Sequence, residues 1–126
     1  VTLDNVTKLN VAFGEKAGSV AMSRPESNNL GAQYIKAGNE SPMITIDSLG
    51  VSDCDLIYLD IEGAEMLALK GAVGTIGLSR PVIAVEDKGL SSRFGTAQGD
   101  IGKWLALNFG YRAVGKSKRD FIFACE

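Results

Sequence analysis

Residues 56–63 read Leu-Ile-Tyr-Leu-Asp-Ile-Glu-Gly, an apolar run that ends abruptly in two carboxylates and a glycine just before a helix-forming stretch. A short apolar run of this length, bounded by turn residues, predicts a buried strand. In an open α/β sheet, ligands bind outside the carboxyl ends of the strands. The expectation is therefore that Leu56, Tyr58 and Leu59 sit in the core while Asp60 and Glu62 face a crevice.

The pattern repeats downstream. Residues 81–85, Pro-Val-Ile-Ala-Val, predict a second and nearly all-apolar strand of the parallel type, again followed by carboxylates, Glu86 and Asp87. Between the two strands a helix is expected from Ala64 to about Val73, loosened and ended by Gly71, Gly74 and Gly77. Asp100 reads as the N-cap of a further helix with Ile101, Trp104, Leu105 and Phe109 on one face, closed by Gly110. Tyr111 to Val114 and Phe121 to Cys125 predict an antiparallel hairpin across the turn at 116–120.

The first half is more irregular. Leu9 to Phe13 and Ser19 to Ser23 predict two strands joined as a hairpin across Gly14 to Gly18. Residues 24–42, rich in Ser, Asn, Gly and Glu, predict a mobile loop, and 88–99 a second loop. Met43 to Ile46 alternates before a break at Asp47-Ser48, a suitable place for a short capped turn of helix.

At 126 residues, 45% hydrophobic and 22% charged, the chain has the make-up of one globular domain over residues 1–126. A net charge of -2 and the lack of a Lys/Arg cluster disfavour nucleic acid and anionic membrane surfaces. Lys116, Lys118 and Arg119 form the densest basic patch, read as solvated charge in a hairpin turn. Two cysteines, Cys54 and Cys125, follow no disulfide or zinc spacing and read as small buried apolar residues, with a cytoplasmic setting as the expectation. Histidine is absent, so a proton acceptor has to be a carboxylate, Lys, Tyr or Cys.

The string from Asp55 to Ala72, with Asp60-Ile-Glu-Gly-Ala-Glu65 at its centre, then Arg80 to Glu86 and Phe109-Gly-Tyr111, resembles the FkbM-type methyltransferases. Ala12 to Gly18 and Ile44 to Leu49 fit the same family. The resemblance implies a partial class I methyltransferase sheet, Rossmann-like, of order 3-2-1-4-5-7-6 with a reversed final hairpin. It implies S-adenosylmethionine as cofactor and a hydroxyl on a sugar or small molecule as acceptor. By correspondence the chain opens just before strand three, so the first two strands, with the glycine-rich cofactor loop, lie outside it. Weak cofactor binding by this stretch alone is the matching expectation. A strand at 56–59 without its neighbour also exposes an edge, which predicts that the N-terminal strands re-pair onto it or that the chain self-associates.

Within that frame, Asp60 serves as base or metal ligand, supported by Glu62 and Glu86, with Asp87 a further carboxylate at the same strand end. Alternatively Asp60 satisfies backbone amides and Glu62 caps the helix. Glu65 and Lys70 read as surface charges. Ala12, Phe13 and Gly14 correspond to the region near the cofactor's adenine, Phe13 forming either an apolar wall for that ring or ordinary core. Tyr34, Lys36 and Arg93 lie in loops that could cover an acceptor. Two other functions stay open: a non-catalytic remnant or assembly module of the same fold, and a carboxylate-based metal-dependent hydrolase.

Overall fold

The computed structural model describes residues 3–23, 33–87, 94, 95 and 97–125. Of the loops expected at 24–42 and 88–99, residues 24–32 and 88–93, with Arg93, lie outside the described residues. Among the latter the chain forms an α/β structure of two four-stranded sheets and three α-helices. The first sheet contains β1 (Ala12–Phe13), β2 (Gly18–Met22), β3 (Ile35–Ala37) and β4 (Ser41–Ile44), in the order β1-β4-β2-β3. A 3-10 turn at Asp47–Leu49 leads out of it. The second sheet contains β5 (Leu56–Leu59), β6 (Val82–Glu86), β7 (Arg112–Ser117) and β8 (Asp120–Ala124), in the order β5-β6-β8-β7. The helices are α1 (Glu65–Lys70), α2 (Val73–Ser79) and α3 (Asp100–Phe109).

The N-terminal hairpin expected from the sequence does not form. β4 lies between β1 and β2, so that Met43 is in register with Ala12 on one side, in parallel, and with Gly18 on the other, antiparallel. The Gly14 amide donates to the Ile44 carbonyl at 3.0 Å. β1 thus pairs with Met43 and Ile44, and β2 with Ser41 to Met43, in place of each other. Part of the expected 24–42 loop is strand: β3, which pairs with β2, and the start of β4.

The second sheet carries the core. Ile57 and Leu59 of β5, Ile83 and Val85 of β6 and Phe123 of β8 pack against Met66 and Leu69 of α1, Ile76 of α2, and Ile101 and Leu105 of α3. All three helices therefore cover one face. Among the described residues the other face is less covered, and here the reading of 56–59 needs correction: Leu56 and Tyr58 are each 56% exposed, with Val82 also exposed beside them. Successive side chains of a strand point to opposite sides, and an unbroken apolar run conceals which half is covered. The N-terminal strands do not re-pair onto β5, whose one strand neighbour among the described residues is β6.

Helical structure continues past the point where three glycines were expected to stop it. α2 includes Gly74 and Gly77, because Asp47 caps it from a distance. The Asp47 carboxylate accepts from the amides of Gly74 at 2.9 Å and Thr75 at 2.8 Å, and from the Thr75 hydroxyl at 2.8 Å. These are orphan donors of the first turn, which the local N-cap, Ala72, cannot satisfy. Desolvation raises the Asp47 carboxyl, but the Thr75 and Gly74 donors outweigh it and hold the group below its ordinary value of 3.8.

Gly71 has a different role. A Cβ there would overlap the Gly14 carbonyl oxygen and crowd Thr45, and the Gly71 carbonyl itself accepts from the Asp47 amide at 2.9 Å. This backbone crossing joins the first sheet to the helical layer of the second.

α3 has the expected bounds and the expected left-handed Gly110 at its end, but Asp100 is not its cap. Gly99, at φ 90°, occupies that position, while Asp100 accepts from the Ala97 amide at 2.9 Å. The expected C-terminal hairpin forms, but its strands run further than read, to Ser117 and from Asp120, leaving a two-residue turn at Lys118-Arg119, with a bulge at Val114. The buried Tyr111 hydroxyl donates to the Pro81 carbonyl at 2.6 Å and ties the start of β7 to that of β6. Cys54 and Cys125 are free thiols and half-buried.

Two stability experiments follow from these contacts. Asp47→Ala lowers the unfolding free energy by about 1–2 kcal/mol at neutral pH. Because the Asp47 carboxyl is held down in the folded state, its contribution is present above 3.8 and fades as pH falls below it, so the wild-type and mutant denaturation midpoints converge in acid. Gly71→Ala destabilises by about 1–3 kcal/mol through overpacking. Gly77→Ala, where the nearest atom is 4.0 Å from an added Cβ, stabilises by about 0.5–1 kcal/mol as a helix-interior glycine replaced by alanine. Urea melts of the two glycine variants should therefore shift in opposite directions.

Candidate functional site

β5 and β6 run parallel with Leu59 opposite Val85, so the next residue of each strand, Asp60 and Glu86, comes off the sheet beside the other. Two residues on, Glu62 sits at φ 56°, in the left-handed region that a side chain with a Cβ rarely adopts. Gly63 follows at φ 109°. This sharp reversal folds Glu62 back toward the strand ends. Carboxylate oxygens of Asp60, Glu62 and Glu86 lie within 4.8 Å of one another, Asp60 exposed and the other two half-buried. Three hard oxygen donors at that spacing suit a proton acceptor or a divalent cation equally.

At Glu65 the structure corrects the sequence reading. It is 2% exposed rather than a surface charge. Its carboxylate accepts from the Ile61 amide at 2.9 Å and the Gly63 amide at 3.0 Å. Burial pushes the Glu65 carboxyl above its usual range, against the lowering effect of the amides of Ile61, Glu65 and Gly63, and the neighbouring Glu62 charge adds to the rise. The N-cap position of α1 is Ala64, which has no side chain to cap with.

Asp87 leaves the set. One residue beyond Glu86 on the strand, it is directed the other way and buried. Its carboxylate accepts from the Gly99 amide at 3.1 Å, its carbonyl from the Gln98 side chain at 3.2 Å, and its amide donates to the Arg119 carbonyl at 3.0 Å. It fastens the start of α3 and the final hairpin to the end of β6.

Two cavities open at the rim. The first, about 330 Å³, lies between the two sheets and is lined by Asn10, Val11, Ala12, Phe13, Met22, Gln33, Tyr34, Ile35, Ser41, Asp60, Ile61 and Ala64. The second, about 440 Å³ and more open, is lined by Tyr58, Asp60, Glu86, Lys118, Arg119 and Asp120. Asp60 borders both. Of the three residues expected near a cofactor, Ala12 and Phe13 line the first cavity, and Phe13 also packs on the core. Gly14 does not line it. It is buried against Met43, where an added Cβ would strike the sulfur, and serves the crossing with Gly71.

Tyr34 lines the first cavity, whereas Lys36 is an exposed residue of β3 outside it. Tyr58, Lys118, Arg119 and Asp120 were not foreseen as site residues. Tyr58 hydrogen-bonds Asp120, whose charge, with burial and the charges of Asp60 and Glu86, raises the phenol above its ordinary value of 10.0. Its hydroxyl amid apolar neighbours was the one available sign that this position is not core. Lys118 and Arg119 come to face the strand ends only because the last hairpin folds back alongside β6.

No helix among the described residues is long and apolar enough to cross a membrane. No curated protein and no solved structure matches the chain. The family model described as the methyltransferase FkbM domain matches residues 6–113, a span that includes the first sheet, β5, β6, all three helices and the three rim carboxylates, and the chain belongs to that family.

Proposed function

We propose that the protein is an S-adenosylmethionine-dependent O-methyltransferase whose acceptor is a hydroxyl on a sugar or other small molecule. The observation that carries this reading is that Asp60 borders both cavities. A group transfer between two small molecules needs two adjacent sites that meet where the reaction occurs. The order β5-β6-β8-β7, with its antiparallel final hairpin, supports a Rossmann-like methyltransferase sheet, since it corresponds to the 4-5-7-6 part of that arrangement.

The first cavity suits an adenosyl group. Val11, Phe13 and Ile35 offer apolar wall, while Asn10, Gln33, Tyr34 and Ser41 offer donors and acceptors. When bound there, S-adenosylmethionine supplies an electrophilic methyl carbon. The second cavity would take the acceptor. Its carboxylates, Asp60, Glu86 and Asp120, accept hydrogen bonds from hydroxyl groups, and Tyr58 presents an aromatic surface beside them. Asp60 then accepts the hydrogen bond of the reacting hydroxyl, raises the electron density on its oxygen and takes its proton. Glu62 and Glu86 keep the rim negative, so the proton is drawn toward it, and the same oxygens could hold a divalent cation.

A second reading, a non-catalytic assembly module of the same fold, is favoured by the outer edge of β5, which has no strand neighbour among the described residues and lies beside exposed Leu56, Tyr58 and Val82. Calorimetric titration separates the two. The methyltransferase reading expects saturable heat with S-adenosylmethionine or S-adenosylhomocysteine, and a ligand at roughly 100 times its dissociation constant adds about 2.7 kcal/mol to stability. No heat at millimolar ligand from the folded protein contradicts it.

Two substitutions probe the rim, with release of S-adenosylhomocysteine across a panel of sugars and small alcohols as the assay. Asp60→Asn lowers methyl transfer by about 10²–10⁴-fold, the usual worth of a general base. Glu62→Gly relieves the left-handed conformation and raises stability by about 1 kcal/mol, yet lowers methyl transfer. A Glu62→Gly protein that is both more stable and fully active would remove Glu62 from the site.

A further inference from the structure

Three candidates stand outside the proposed chemistry: the open apolar face of the second sheet, the mixed-charge hairpin turn, and the buried carboxylate of Glu65. Only the last has contacts that define what it does. Its two oxygens accept from the amides of Ile61 and Gly63, at 2.9 and 3.0 Å, the residues on either side of Glu62.

Each of those amides belongs to a rigid peptide plane shared with the preceding residue. The Ile61 nitrogen lies in one plane with the Asp60 carbonyl, and the Gly63 nitrogen in one plane with the Glu62 carbonyl. Holding both nitrogens on one buried carboxylate therefore fixes the backbone orientation of Asp60 and Glu62 together. It also retains Glu62 at φ 56°, a conformation that its own side chain disfavours.

We propose that Glu65 is a positioning residue, which clamps the two peptide planes carrying Asp60 and Glu62 and so sets the carboxylate rim that they form with Glu86. The functional meaning of that rim rests on the methyltransferase reading; the clamp itself does not. Glu65 touches neither cavity, so it acts only through its neighbours. A carboxylate is required because both partners are donors. Glutamine has the same shape but presents one acceptor and one donor, and its NH2 group would face an N–H.

The test is Glu65→Gln, with Glu65→Asp as the variant that keeps both acceptor oxygens on a shorter stem. Amide hydrogen exchange is followed at Ile61 and Gly63 and, as an internal reference, along β6. In Glu65→Gln the two loop amides exchange faster by about tenfold or more while those of β6 are unchanged, and Glu65→Asp falls between it and the wild type. In the methyl-transfer assay, kcat of Glu65→Gln falls by about tenfold or more while the S-adenosylhomocysteine Kd changes by less than about twofold.

Unchanged exchange at Ile61 and Gly63 overturns the proposal. So does faster exchange shared equally by β6, or a loss of kcat matched by the same loss of ligand binding, since either is what general destabilisation produces. Loss of the fold in both variants overturns it as well, because Glu65 would then be a requirement of the whole structure. If the wild type neither binds cofactor nor methylates, the methyltransferase reading fails by itself, and exchange at the two amides still decides the clamp.

Discussion

Two main-chain N–H groups between the end of β5 and the start of α1 are taken by one buried carboxylate, and the geometry of the rim depends on that arrangement. A strand that turns into a helix leaves amides with no partner in either element, and a buried amide without one costs roughly 1–3 kcal/mol. Water could satisfy them, but only in an open loop. Glu65 satisfies them internally, which permits a turn tight enough to fold Glu62 back over the end of its own strand. The parallel register of β5 and β6 then brings Glu86 to the same place.

A second constraint positions the wall opposite. The first sheet is held against the helices where Gly71 passes the Gly14 carbonyl with no room for a side chain, and where Asp47 reaches across to the first turn of α2. The cavity lined by Ala12, Phe13 and Asp60 spans these two bodies.

Much of the second sheet was legible because its signals are local. The apolar runs at 56–59 and 82–85, the four-residue stripe of α3, the terminating Gly110 and the final hairpin each carry their own periodicity or turn chemistry. The carboxylates Asp60, Glu62 and Glu86 were legible for a related reason: Asp60 and Glu86 each follow an apolar run directly, and Glu62 comes two residues after Asp60. Most of what failed depended on partners distant in sequence, Glu65 excepted, whose partners lie within four residues. Whether Leu56 and Tyr58 are covered is decided by what packs on the outer face of β5, not by their own hydrophobicity. β4 separates β1 from β2 although the whole of 23–40 lies between β2 and it. α2 survives two glycines because Asp47 caps it from 27 residues away. Glu65 looked like surface charge and Asp87 like part of the rim, and nothing in a linear pattern distinguishes a solvated carboxylate from one folded back onto backbone amides.

The account centres on a single meeting point, Asp60, between an apolar-walled cavity and one lined by charged side chains. A crystal structure with bound S-adenosylhomocysteine tests it most directly. The account predicts the adenosyl group against Phe13 in the first cavity, with the sulfur directed toward Asp60 and the second cavity still open to an acceptor. Ligand bound elsewhere, or in the first cavity with its sulfur directed away from the carboxylates, would contradict it.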